Sequence, residues 1–193
     1  MAELILASTS RYRIELMQRL GVPFHAVAHL VDERAAEPAG AGPDQIARTL
    51  ARLKADSLAA AYPGACILGS DQLVDLDGRA LGKPGSEPAA RAQLATLAGR
   101  AHRLVTAVCL RRPDGGHDDA LDVHEMRVRA LSEDEIARYV ARDQPLDCAG
   151  SYRIEAGGIA LFASISGADF TAIVGLPLIA VAAMLRRAGF MVP

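Results

Sequence analysis

An α/β fold built on one core is what this chain predicts, on three observations. Short apolar runs that end at small or charged residues, Leu4-Ile5-Leu6 and Cys66-Ile67-Leu68 first among them, read as buried strands. Between them lie apolar residues at helical spacing: Ile14, Leu16, Met17 and Leu20, then Ile46, Leu50, Leu53 and Leu58. Alanine is abundant, aromatic residues make up 4% of the chain and tryptophan is absent, so helices form readily and the core is aliphatic. At 193 residues the chain suits one well-buried core, and we read residues 1–193 as a single domain.

The first strand runs into Ala7-Ser8-Thr9-Ser10-Arg11-Tyr12-Arg13, and the helical spacing after it stops at Gly21. A hydroxyl-rich turn therefore stands at a helix N-terminus, where unpaired N–H groups and the helix dipole favour an anion. Ser8, Thr9 and Ser10 also suit the ordinary work of N-capping. Arg11 and Arg13 oppose the dipole in the first turn and gain most when a phosphate is present. Pro23 to Leu30 predicts a second strand, leading to Val31-Asp32-Glu33-Arg34, which by itself reads as a charged loop. A Gly/Pro/Ala-rich connection then precedes a helix from about Asp44 to Ala61. Lys54 lies beside its apolar stripe, a position from which lysine usually snorkels to solvent.

The strand from Cys66 delivers Asp71 to the rim of a sheet, and Leu81-Gly82-Lys83-Pro84 follows a few residues later. A rim carboxylate with a nearby lysine suits metal–phosphate chemistry, although each alone reads as a turn aspartate and a solvated lysine. Asp77-Gly78 supplies hairpin-turn chemistry, a helix spans about Glu87 to Leu97, and Arg100 to Leu110 reads as a strand with His102 and Thr106 on one face. For His102 a structural role outweighs a ligand role. Pro113-Asp114-Gly115-Gly116 predicts a tight turn with Ala120 to Ala130 as the partner strand, and Ser132 with Glu135 forms a capping-box pattern. An alternating run, Ile159 to Ile165, and a last helix from about Leu176 to Arg187 complete the chain.

Several classes of function are disfavoured. A formal charge of −2 gives no broad grip on nucleic acid. Cys66, Cys109 and Cys148 show no CxxC pairing and read as thiols in a reducing compartment. The N-terminal apolar stretch is too short for a signal peptide, and Ile173 to Leu185, interrupted by Gly175 and Pro177, is too short to span a bilayer. The expectation is a cytoplasmic protein with neither stable nucleic-acid nor membrane partners.

Taken together, Leu-Ala-Ser-Thr-Ser-x-x-Arg at Leu6, Gly-Ser-Asp-Gln at Gly69, Gly-Lys-Pro at Gly82, Gly-x-x-His-x-x-x-Thr at Gly99, Ala-Gly-Ser at Ala149 and Val-Gly-Leu-Pro at Val174 resemble the Maf family. The motifs cover nearly the whole chain in order. The resemblance implies an elongated mixed-sheet fold similar to that of inosine-triphosphate pyrophosphatases, with helices around a central sheet and a nucleotide cleft. It implies hydrolysis of a nucleoside triphosphate to the monophosphate and pyrophosphate, assisted by a divalent cation such as Mg²⁺ or Mn²⁺. On that basis Asp71 is the proton acceptor, Ser8, Arg13, Lys54 and Lys83 form the phosphate cradle, and Glu33 with Asp71 holds the metal. Arg11 stands where the family pattern has proline, and Thr171-Ala172 where it has an asparagine-containing sequence. A homodimer is a family-based expectation.

Within the family, Gln72 after the catalytic aspartate and the Pro-Leu-x-Cys-Ala-Gly-Ser stretch at Pro145 resemble the branch acting on 7-methyl-GTP. The specificity positions of that branch map to Tyr12, Gln72 and Glu155. N7 methylation makes guanine cationic, which an aromatic face at Tyr12 and a carboxylate at Glu155 complement. The enzymatic alternative is a dTTP/UTP pyrophosphatase. The non-enzymatic one is a nucleotide-binding regulator of septum formation.

Overall fold

β1 (Leu4–Leu6) is fully buried because both its edges are taken: β2 (His25–Ala26) pairs with it in parallel on one side and β3 (Cys66–Leu76) in parallel on the other. Parallel neighbours require crossover connections, and the helical segments α1 (Arg11–Gln18), α2 (Glu33–Ala36) and α3 (Pro43–Asp56) supply them. This is a computed structural model, and it describes residues 3–192. β4 (Arg79–Leu81) pairs antiparallel with the far end of β3, so the seven-stranded sheet is mixed. With β5 (Ala101–Arg111), β6 (His117–Val128) and β7 (Phe162–Ser166) its order is β2-β1-β3-β5-β6-β7, β4 lying off this path. The predicted α/β class is the observed one. Among the described residues no helix is long and apolar enough to cross a membrane.

Internal contacts divide the chain into two compact units. The first holds the residues up to Asp71, Thr106–Asp122 and those from Asp169 on; the second holds Gln72–Val105 and Val123–Ala168. In the first, Leu4, Leu6 and Leu68 from the sheet pack with Leu16 and Met17 of α1 and with Val181 and Leu185 of α7 (Leu178–Arg187). β3 and α3 approach each other closely in this unit. A Cβ placed on Gly69 would stand 2.1 Å from the Ala51 carbonyl oxygen and 2.7 Å from the Ala55 amide nitrogen. Both are backbone atoms that cannot swing aside, and buried Ala47, Ala51 and Ala55 are small for the same reason. Gly69→Ala is therefore expected to destabilise by about 3 kcal/mol, the upper end of overpacking costs, and to lower the melting midpoint by roughly 10 °C. Thermal unfolding followed by circular dichroism checks this.

The second unit is built around α4 (Glu87–Leu97), α5 (Glu133–Asp143) and two 3₁₀ turns, Ala149–Ser151 and Gly157–Leu161. The Asp77-Gly78 turn has φ of 53° and 82°, the doubly positive pattern of a type I′ hairpin, and the Asp75 carboxylate accepts the Gly78 N–H at 2.8 Å. The capping box is complete: Ser132 Oγ accepts the Glu135 N–H and Glu135 Oε2 accepts the Ser132 N–H. Those bonds, with Arg129, hold the Glu135 carboxyl below its ordinary range.

His102, 4% exposed, packs with Tyr152 and Phe162 at ring-centroid distances of 5.6 and 6.2 Å, and its Nε2 meets the Tyr152 hydroxyl at 3.0 Å. Burial pushes its pKa down to about 4, so the folded protein holds it neutral while the unfolded chain protonates it near 6.5. Its contribution is thus fully present above about pH 6.5 and is lost progressively as the pH falls from there to about 4, a total of about 3 kcal/mol. Urea unfolding between pH 7.5 and 4.5 should show that loss, and His102→Gln should remove it.

Several elements depart from the sequence reading. The strand expected over Pro23 to Leu30 shrinks to His25–Ala26, an exposed sheet edge beyond a proline that has no N–H to donate. The helix expected to reach Ala61 stops at Asp56, because Ser57 Oγ donates to the Lys54 carbonyl and looser turns follow. No hydroxyl side chain caps α1: Ser10 holds the N-cap position without a side-chain bond, and Ser8 Oγ instead accepts the Ser10 N–H. The run Ile159 to Ile165 divides into a 3₁₀ turn and β7. β6 covers His117–Val128 rather than Ala120 to Ala130, and α7 starts after Pro177 rather than around it. A short helix, α6 (Phe170–Val174), stands where none was foreseen. The three cysteines are free, and Cys148 is only half-buried, its thiol pushed up to about 11 by burial.

Candidate active site

Asp71 and Gly69 are two residues apart on β3 and so share a face, the face turned to α3. The glycine lets the strand approach the helix, and the approach brings Lys54 of α3 to the carboxylate: Lys54 Nζ donates to Asp71 Oδ1 at 2.7 Å. The same nitrogen lies 2.8 Å from Glu33 Oε1, on the first residue of α2, whose N-cap Asp32 accepts the Ala35 N–H. The side chains of Lys54 and Asp71 are 3% and 8% exposed, whereas Glu33 keeps 40%. The expectation that Lys54 reaches solvent is overturned. An ammonium is tolerated in so buried a place because two carboxylates meet it, and the carboxylates are tolerated together because it stands between them.

Arg13, in the first turn of α1, completes the charge balance. Burial lowers its pKa, and the charges of Asp71 and Glu33 oppose that shift, so its guanidinium faces the same cluster. Its Nε donates to the Gly175 carbonyl at 3.2 Å, and Ser70 Oγ donates to the same oxygen at 3.1 Å. Gly175 has φ of 132°, a conformation that L side chains rarely adopt. The segment around it is fixed by Asp169, which accepts from Thr171 N, Thr171 Oγ1 and Ile179 N, while Thr171 Oγ1 accepts the Leu178 N–H. Ser70, Asp169 and Gly175 were missed as site-building residues. Ser70 and Gly175 stood in the motifs Gly69-Ser70-Asp71-Gln72 and Val174-Gly175-Leu176-Pro177, which carried the family resemblance without a role for either residue. Ser8, 5% exposed, ends the β1 run, and Tyr12 follows in α1 with the Arg11 guanidinium 4.6 Å from its ring centroid.

The first unit thus brings together Arg13, Glu33, Lys54 and Asp71. Gln72, Lys83 and Glu155 belong to the second unit. Alternation along β3 sends Gln72 to the opposite face from Asp71. Lys83 is exposed in the loop after β4. Glu155 is exposed in a loop tied down at both ends: the Tyr139 hydroxyl accepts the Arg153 N–H and Asp143 Oδ2 accepts the Gly157 N–H, both at 2.8 Å. Among the described residues no group of three or more His, Cys, Asp or Glu side chains could hold a metal ion. The donor set at the Lys54 cluster is two carboxylates, hard oxygens of the kind that bind Mg²⁺ or Mn²⁺ together with substrate phosphates and water. That set fits such an ion.

Comparison with known proteins gives a consistent set of relatives. A protein named 7-methyl-GTP pyrophosphatase from Xanthomonas campestris pv. campestris (strain 8004) is 51% identical over 193 residues, covering 100% of both chains. Proteins of the same name from Ralstonia nicotianae and Bdellovibrio bacteriovorus are each 45% identical, covering 95% and 96% of this chain and 94% and 97% of their own. Among solved structures, a nucleoside-triphosphatase described as a dITP/XTP pyrophosphatase from Mycobacterium abscessus matches 96% of this chain and 94% of its own, with 15% identity and a TM-score of 0.48. The family model described as "Maf-like protein" matches residues 3–188, so with full-length relatives at this identity the chain belongs to the Maf family.

Proposed function

We propose that the protein hydrolyses 7-methyl-GTP to 7-methyl-GMP and pyrophosphate, removing a modified nucleotide. The observation that carries this reading is the Lys54–Glu33–Asp71 cluster with Arg13 beside it. It stands in a chain half identical, end to end, to proteins bearing that activity's name. Water adds across the bond between the α- and β-phosphates, that P–O bond breaks and pyrophosphate leaves. Asp71 is the base: Oδ1 is held by Lys54, and Oδ2 takes the proton from the attacking water and returns it to solvent. Arg13, Lys54, Lys83 and Ser8 meet the phosphate charge. Arg13 is aimed by its bond to the Gly175 carbonyl and does not have to be ordered when substrate arrives. A divalent cation such as Mg²⁺ or Mn²⁺, held by Glu33 and Asp71, would neutralise phosphate charge and sharpen the water as a nucleophile.

Base recognition in this reading falls to Tyr12, Gln72 and Glu155. The Arg11 guanidinium already lies against the Tyr12 ring, so this ring is a place where a cation is at home, and a methylated guanine would use the same attraction. The test is turnover of 7-methyl-GTP, GTP, dTTP, UTP and inosine triphosphate with Mg²⁺ or Mn²⁺, reading pyrophosphate and monophosphate. Selective release from 7-methyl-GTP is expected. A preference for dTTP or UTP would overturn the base assignment and leave the pyrophosphatase reading standing, whereas no turnover of any nucleotide would overturn both.

A further inference from the structure

Lys83 lies in a short exposed loop, and a flexible lysine there has no evident reason to be presented in one place. The structure shows what fixes its backbone. On one side of it, Gln93 of α4 donates from Nε2 to the Gly82 carbonyl at 3.0 Å; on the other, the Gly85 N–H donates to the Leu146 carbonyl at 3.0 Å. Pro84 between them restricts the chain further. The Gln93 amide is itself oriented. Its Oε1 accepts from Ser151 Oγ at 2.5 Å. Turning the amide over would set Oε1 against the Gly82 carbonyl, acceptor against acceptor, so the Gly82 oxygen selects the NH₂ group and the Ser151 hydroxyl must then be the donor.

Ser151 is in turn rigid. It is fully buried, with φ of 61° directly after Gly150 at 73°. A left-handed non-glycine residue persists only where its surroundings enforce it. A Cβ on Gly150 would stand 2.6 Å from the Tyr152 ring and 2.7 Å from Val74 Cγ2, which is how tightly this turn is enclosed. Two sequence motifs far apart in the chain, Gly82-Lys83-Pro84 and Ala149-Gly150-Ser151, are therefore joined through one glutamine side chain. We propose that Gln93 is a positioning residue for the reaction, holding the Lys83 loop against the strained Ser151 turn so that the Lys83 ammonium is set for the substrate's phosphates. This rests on the phosphate role of Lys83 proposed above.

A double-mutant cycle tests it, with kcat and KM for 7-methyl-GTP measured on wild type, Gln93→Leu, Lys83→Ala and the pair. One lost hydrogen bond of this kind predicts a fall in kcat/KM of about tenfold for Gln93→Leu, seen mainly in KM. On the Lys83→Ala background the same change should cost less than about twofold, because the residue it positions is gone. Gln93→Glu keeps the Ser151 bond but turns a carboxylate oxygen to the Gly82 carbonyl, and should match Gln93→Leu in KM while melting within a few degrees of wild type. Equal factors on both backgrounds, or a harmless Gln93→Leu beside an impaired Lys83→Ala, overturn the positioning role alone. An unimpaired Lys83→Ala removes the phosphate role of Lys83, and the positioning role with it.

Discussion

Asp71→Asn should reduce turnover of 7-methyl-GTP by about a thousandfold or more while leaving the fold in place. The replacement is nearly isosteric, and its amide oxygen can still accept from Lys54 Nζ where Oδ1 now does at 2.7 Å, so packing of β3 on α3 survives. What is lost is chemical. An amide cannot take a proton from water at neutral pH, and it contributes no negative charge toward a divalent cation shared with Glu33. The measurement is pyrophosphate release at saturating nucleotide and metal, beside a thermal melt of each protein. A cooperative melt, lowered because buried Lys54 keeps only Glu33 as a charged partner, with activity reduced about a thousandfold is the expected pair of results. Activity within tenfold of wild type would remove Asp71 from the reaction, and the assignment of the cluster as catalytic would fall with it.

Much of this site was legible in the chain, for reasons that differ from residue to residue. The apolar run Cys66-Ile67-Leu68 marked a buried strand, but the strand does not end there: β3 continues to Leu76, so Asp71 stands inside it and not at the sheet rim that the run predicts. The Asp77-Gly78 turn and the Ser132–Glu135 capping box were readable because each is settled within four residues by local backbone chemistry. The family resemblance placed Lys54 in the phosphate cradle, but its burial was not readable from periodicity. Its neighbours in α3 repeat at helical spacing, and that pattern assigns a lysine beside the stripe to solvent. Its true environment depends on Gly69 letting β3 close upon the helix and on Glu33 arriving from a third segment. The link from Arg13 and Ser70 to the Gly175 carbonyl was equally hidden, since it joins residues 162 and 105 positions apart. Periodicity reports which face of an element is apolar; it carries no information on which polar groups from distant segments meet.

Lys54→Met should be among the most damaging single changes to the fold as well as to the reaction. A methionine fills nearly the same volume but leaves the Asp71 carboxylate, with 8% of its side chain exposed, without its ammonium. Removing one partner of a buried ion pair costs about 3–5 kcal/mol, because the remaining charge keeps its desolvation penalty and loses its compensation. Glu33 suffers less, since 40% of its side chain reaches solvent. Urea unfolding should show this loss, and Lys54→Met combined with Asp71→Asn should recover most of it, as the second change removes the stranded charge. A double variant no more stable than Lys54→Met alone would mean that the lysine contributes by packing, not by charge. The same single variant bears on the metal. In the wild type an ammonium lies between the two carboxylates that a divalent cation would share, so ion and lysine compete for the same oxygens. Without the ammonium, the carboxylates attract a cation more strongly, and Mn²⁺ should raise the melting temperature of Lys54→Met by more than it raises that of wild type. If Mn²⁺ shifts the two proteins equally, the cation is not held by Glu33 and Asp71 together, and Lys54 acts on the phosphates alone.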